Sequence, residues 1–280
     1  MANQSLDVMV NEHYGSKGLL GRVLTAVRDT GIVLDEVCSD DFSPVSEFHI
    51  GGRRSTIDLA NTAQLSGDNR VLDIGSGLGG PARTLVEQFG VQVDGVDLTH
   101  EFCLVANELT RITGLSDQAV FSQGDALSLP VDYSNKYDVV WTQQSCMNIE
   151  DKRQMFIEVC RVLKTGGTFV FQEVFAGDQD GPILLPVPWA READMSFLWS
   201  PDAIRQSILN AGFVECVWKN VTSYYLEEYR LLAEKTGNSV EPPIMGVHLI
   251  LGDQAGLMRK NVVRNLSQGF ISVYQGVFKK

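Results

Sequence analysis

The stretch Val71-Leu72-Asp73-Ile74-Gly75-Ser76-Gly77-Leu78-Gly79-Gly80 decides the fold. Its first four residues read as a short strand, the glycines as a tight loop, and Pro81 to Phe89 as a helix. A strand–loop–helix joint aims backbone N–H groups and a helix N-terminus at a ligand, and glycine lets the chain come close to it. The loop satisfies G-x-G-x-x-G, a pattern that nicotinamide and other adenosine sites share.

Working outward, short apolar runs alternate with longer helical ones. Strands are expected at Val91 to Val96, Ala119 to Ser122, Tyr137 to Thr142, Thr168 to Val174, Phe213 to Trp218 and Ile271 to Phe278. Helices are expected at His100 to Thr113 and Lys152 to Leu163, and after the Ser200-Pro201-Asp202 cap. The alternation predicts an α/β fold: a Rossmann-like, mostly parallel seven-stranded sheet with helices on both faces. Ahead of it, helical patterns at Gly18 to Val27 and Gly51 to Leu65 make an N-terminal helical extension. Between them Asp40-Asp41-Phe42-Ser43-Pro44 reads as a turn, because proline disfavours helix in the residue before it. Gly181 to Ser200, with three prolines, two tryptophans and no period, reads as a long loop or lid. Helical patterns at Tyr224 to Ala233 and Leu257 to Phe270 make a helical cap inserted before the last strand, at the edge of the sheet. The expected division is an extension over 1–66 closing over the cofactor, a core over 67–222 with its lid at about 176–200, a cap over 223–269 and the final strand over 270–280.

Three acids stand at three successive strand ends. Asp97 closes the second strand roughly 20 residues after the glycine loop, where a carboxylate accepts ribose hydroxyls. Asp73, two residues before the first glycine, would face a pyrophosphate badly. It suits the cationic amino acid end of S-adenosylmethionine (SAM), which has no phosphate. The Gly124-Asp125-Ala126 element after the third strand can meet the adenine amino group. Amine, ribose and adenine are thus served in order along the carboxyl edge of one sheet, where open α/β folds bind ligands. A nicotinamide-dependent oxidoreductase would use Asp97 and has no place for Asp73 with Asp125. Gly75, Ser76, Gly77, Gly79, Leu98 and Ala126 complete this expected SAM site.

Bulk composition narrows the partners. The 280 residues are 44% apolar, enough for one large core with additions. A net charge of −12 opposes the basic surface that nucleic acid demands. The five cysteines are scattered singly, without metal-ligand spacing, so neither a metal site nor a disulfide frame is expected. Neither a signal peptide nor a membrane-spanning run is read, and the cytoplasm is the expected location.

The run VLDIGSGLGG, GVDL, GDALSLP, KYDVVW and RVLKTGG, from Val71 through Phe171, resembles the core of class I SAM-dependent methyltransferases. Phe48-His49-Ile50-Gly51-Gly52 ahead of it resembles the phosphoethanolamine and the sarcosine/dimethylglycine N-methyltransferases. That resemblance implies that Tyr14 closes over SAM, that His49 and Ile50 line the cofactor pocket, and that Gln143 touches its methionine part. One departure stands out: those enzymes commonly carry an Asp and, four residues later, a His after the fourth strand, where this chain has Gln144 and Asn148. Gln144 and Asn148 are therefore the candidates for orienting an acceptor, with His49 the candidate base if its ring reaches that acceptor. Methyl transfer is an in-line displacement that rests on alignment, so no side-chain nucleophile is required. The acceptor is expected to be a small molecule. Trp189, Phe197, Trp199, Tyr224, Tyr225 and Tyr229 are candidates to wall its pocket and favour an apolar or aromatic body. N-methylation of an amine stands ahead of O- or C-methylation of a natural product or prenyl-quinone-like compound, and a SAM-binding regulatory protein without catalysis is the reading from another class.

Overall fold

A computed structural model describes residues 18–236 and 243–280. Seven strands form one sheet: β1 (Arg70–Ile74), β2 (Gln92–Asp97), β3 (Ala119–Gln123), β4 (Tyr137–Gln143), β5 (Leu163–Ala176), β6 (Val214–Asn220) and β7 (Ile271–Lys279), in the order β3-β2-β1-β4-β5-β7-β6. β1 to β5 run parallel to one another, and β7 lies antiparallel between β5 and β6. Numbering the helices in chain order, α1 (Leu19–Asp29), α2 (Ser39–Ser46) and α3 (Gly52–Thr62) precede β1. Within the sheet region come α4 (Gly80–Phe89), α5 (His100–Ile112), α6 (Lys152–Val162) and α7 (Pro201–Asn210). Between β6 and β7 lie α8 (Thr222–Thr236), α9 (His248–Leu251) and α10 (Ala255–Ser267).

A central parallel strand is covered on both faces and so is apolar almost throughout. β1 shows this: Val71 packs into a cluster with Leu59, Leu85, Cys103 and Trp141, while Leu72 and Ile74 face the opposite cluster with Met155, Phe169 and Ile208. α3, α4 and α5 therefore cover one face, α6 and α7 the other. The second cluster is aromatic where the antiparallel strands join: Phe171 stacks on Phe278 at 5.9 Å and Phe175 on Trp218 at 6.0 Å.

Two expectations change. Residues 40–44 are helix, not turn. α2 carries Pro44 inside it, and its start is held by a reciprocal cap in which the Cys38 N–H donates to Asp41 Oδ2 (2.8 Å) and the Asp41 N–H to the Cys38 carbonyl (3.2 Å). Phe42 and Val45 are fully buried against Leu78 and Phe102, and that burial outweighs the one backbone bond a proline forfeits. The helices between β6 and β7 also reach well past the sheet edge. Met245, Ile250, Leu251 and Met258 join α1, α2 and the outer face of α5 in one cluster, so extension and cap pack on each other above the carboxyl ends of β1 and β2.

Candidate functional site

β1 ends at Ile74, and Gly75 turns the chain with φ 73°, its N–H donating to the Val96 carbonyl at 2.8 Å. A methyl group at Gly75 would run into the Ser145 side chain, so only glycine fits the loop between β1 and the segment after β4. Ile74, Gly75, Gly77, Val96, Asp97, Leu98, Thr99, Gly124, Asp125 and Ala126 line a cavity at the carboxyl ends of β1, β2 and β3. Phe48 and Phe102 roof it, and Gln144, Ser145, Asn148 and Ile149 wall it after β4.

Of the three acids, Asp97 and Asp125 line the cavity and Asp73 stands behind the lining on β1, and their partners are unequal. Asp97 accepts the Gly77 N–H on Oδ2 and the Thr99 N–H on Oδ1, both at 2.8 Å. Burial still raises its pKa against those two bonds. Asp125 accepts the Leu127 N–H at 2.8 Å. Asp73 is 2% exposed, and among the described residues its Oδ2 has no hydrogen-bond partner. Burial first, then the nearby charges of Asp97 and Glu47, push the Asp73 carboxyl up to about 8. A buried carboxylate oxygen without a donor is costly unless a ligand supplies one. An ammonium group is the donor that suits it, so the residues present fit the amino acid end of SAM.

The Phe48-His49-Ile50 segment splits three ways. Phe48 faces the cavity, Ile50 packs with Met147, Val187 and Tyr225, and the His49 ring enters a polar cluster away from the cavity. There His49 Nε2 lies 3.4 Å from Glu47 Oε2 and 3.3 Å from Thr56 Oγ1, and Nδ1 lies 3.3 Å from Ser55 Oγ. Burial raises the Glu47 pKa, but the hydrogen bond and charge of His49, with bonds from Thr84 and Thr56, more than reverse this and leave it below the usual carboxylate range. His49 and Ile50 therefore do not line the cavity, and His49 is not placed as a base on an acceptor. Gln143 joins the same cluster: its Oε1 accepts from Trp141 Nε1 (2.9 Å) and Thr56 Oγ1 (3.0 Å). Ser76 and Gly79 also stand behind the lining, and Tyr14 lies outside the described residues.

After β4 the chain makes a strained turn. Gln144 has φ 54°, unusual for a residue with a Cβ, and its N–H is fixed on the Gln172 carbonyl at 2.9 Å. Its side-chain Nε2 is buried beside the cavity without a partner among the described residues. Asn148 is employed differently: its Nδ2 donates to the carbonyls of Trp189 (2.7 Å) and Met195 (3.0 Å) in the lid. Of the six aromatics expected around an acceptor, none lines the cavity. Trp189 and Tyr225 are buried core residues, and the Tyr225 hydroxyl donates to Gln172 Oε1 at 2.7 Å.

Sequence reasoning passed over Glu173. At 1% exposure on β5 it accepts the N–H groups of Ser145 (3.3 Å) and Cys146 (3.2 Å), bracing the cavity wall from below, and burial pushes its carboxyl up to about 7. A lone acid inside Phe-Gln-Glu-Val-Phe carries no spacing signal. Phe48, Phe102 and Ile149 were missed as lining because apolar residues in a pocket look like core.

Among the described residues no helix is long and apolar enough to cross a membrane. Residues 72–171 match the model of a methyltransferase domain. A glycine/sarcosine/dimethylglycine N-methyltransferase of Actinopolyspora halophila is 28% identical over 197 residues, 69% of this chain, and the chain spans about a third (34%) of that protein's length. The fold is also that of geranyl diphosphate C-methyltransferase from Streptomyces coelicolor A3(2) (TM-score 0.69, 16% identity, 98% of this chain and 97% of that one). A phosphoethanolamine N-methyltransferase of Haemonchus contortus aligns with a TM-score of 0.68 at 20% identity, over 91% of this chain and 60% of that one. The matched residues hold the glycine loop and the ordered acids, so this part of the chain is similar to methyltransferase domains, and the whole chain shares its fold with solved methyltransferases.

Proposed function

We propose that the chain is an enzyme that methylates a small molecule, with N-methylation of an amine as the leading reading. The observation that carries it is a cavity lined in order by Asp97 and Asp125, with the Asp73 carboxylate buried behind that lining on β1 and its Oδ2 without a donor among the described residues. Asp73 would hold the ammonium group of SAM, Asp97 the ribose hydroxyls and the Asp125–Ala126 turn the adenine. When bound, SAM supplies a methyl group on a positively charged sulfur. The work left to the chain is alignment and exclusion of water. Phe48, Phe102 and Ile149 keep the cavity apolar, and the Gln144 amide, held by its own strained backbone, orients the acceptor through a hydrogen bond. A neutral amine brings its own lone pair, which agrees with a site in which His49 is turned away.

O- or C-methylation of a neutral, largely apolar compound is the second reading. Its support is that the described lining residues include no Lys, Arg or His to meet the carboxylate of an amino acid or a phosphate. The deciding experiment is untargeted mass spectrometry of a small-metabolite extract incubated with the protein and methyl-deuterated SAM. A labelled product is expected, and its fragmentation assigns nitrogen, oxygen or carbon. Tight binding of S-adenosylhomocysteine (SAH) with no labelled product from any extract would replace the enzyme reading by a SAM-binding regulatory one.

A further inference from the structure

Lys152 is 1% exposed, yet it opens α6, where the partial positive charge of the helix N-terminus repels a cation. Burial lowers its pKa against the nearby Cys146 and Glu173. Starting the helix does not need it, since Asp151 already caps α6 by accepting the Gln154 N–H at 3.0 Å. What the ammonium does is bridge two segments: Nζ donates to the carbonyls of Ile149 (2.6 Å) and Phe197 (2.5 Å), and it lies 5.6 Å from the centre of the Trp199 ring. Ile149 walls the cavity and Phe197 belongs to the lid.

Two neighbouring contacts repeat the connection. The Phe197 N–H donates to the Met147 carbonyl at 2.8 Å, and the Asn148 amide takes the Trp189 and Met195 carbonyls. Residues 147–152 thus grip the lid at 189, 195 and 197. Its earlier part is held from the cap by Asn265, which both donates to the Leu184 carbonyl (3.0 Å) and accepts its N–H (2.7 Å), and by Asn261 on the Pro186 carbonyl (3.0 Å). The lid has no regular ladder of its own beyond one bridge, Val187 with Ala190, so these side chains fix where it lies.

We propose that Lys152 is a positioning residue: with Asn148 it latches the lid onto the Ile149 wall and thereby sets which acceptors fit the cavity. The part about acceptors rests on the methyltransferase reading above; the latch itself does not. The test compares the full chain with Lys152→Met, Lys152→Arg and Asn148→Ala, by hydrogen exchange with mass spectrometry and by SAH calorimetry. With the acceptor found in the labelling experiment, KM and kcat are measured too. In Lys152→Met, lid amides over 187–199 are expected to exchange at least tenfold faster while those of β1 and β4 keep their rates. SAH affinity stays within about twofold, acceptor KM rises about tenfold with kcat within threefold, and Lys152→Arg regains most of both effects. Unchanged lid exchange, or a loss of SAH affinity equal to the loss for the acceptor, overturns the latch. Should Lys152→Met fail to fold, Asn148→Ala breaks two lid bonds without touching the cation, and slow lid exchange in it overturns the proposal equally. Absence of SAH binding by the wild type would sink the methyltransferase reading while the exchange data still judged the latch.

Discussion

The place of Asp73 on β1 was legible because strand-end acids repeat with the β/α unit, and its distance from the first glycine depends only on local chain geometry. His49, Ile50 and Gln143 were not, because the face each presents is set by partners far away in sequence: Glu47 and Thr56 for His49, Trp141 and Thr56 for Gln143. The carboxylate without a donor makes a sharp expectation. Asp73→Asn should weaken SAH binding by about 2–3 kcal/mol, roughly 30- to 150-fold, the worth of a charge-assisted hydrogen bond at a desolvated site. Wild-type affinity should also tighten as pH rises toward 8, because the Asp73 carboxyl, held up to about 8, must ionise to meet the ammonium. Isothermal titration from pH 6 to pH 8.5 checks both. An affinity flat with pH and equal in the variant would remove Asp73 from the cofactor site.

At the scale of elements, all seven strands were readable from apolar runs bounded by turns, and what failed was α2. A rule about one residue, Pro44, lost to the burial of two others, Phe42 and Val45, which only the packed molecule reveals. If that account holds, α2 depends on its reciprocal cap. Asp41→Ala removes the acceptor of the Cys38 N–H and should cost about 1 kcal/mol of stability in denaturant unfolding. An unchanged midpoint would mean that burial alone holds the helix. The lid was read rightly as lacking a period, but its anchors could not be read, because Asn148, Lys152, Asn261 and Asn265 are spread over more than a hundred positions and meet only in three dimensions.

For the molecule as a whole, the site is built at the expense of stability. Asp73 and Glu173 are buried acids with pKa values raised to about 8 and about 7, so the folded chain holds protons that the unfolded chain releases near pH 4. The stability they allow is complete below that pH and is lost as pH climbs through 7 and 8. The melting temperature of the free protein should therefore fall between pH 5 and pH 8.5, less steeply in Asp73→Asn, and saturating SAH should flatten the slope by giving the carboxylate its partner. A melting temperature rising over that range would show that both acids ionise without penalty.

The place of β7 has a consequence for how the chain is made. Among the described residues β6 pairs with β7 and with no other strand, and β7 follows it only after α8, α9 and α10. A ribosome therefore releases β6 long before its hydrogen-bonding neighbour exists, and β5 waits beside it with an open edge. During that interval the aromatic rings of Phe171, Phe175 and Trp218 have no Tyr274 or Phe278 to meet. The nascent chain is then at its most adhesive, and the window in which a chaperone has work to do closes when β7 slides between its two older neighbours.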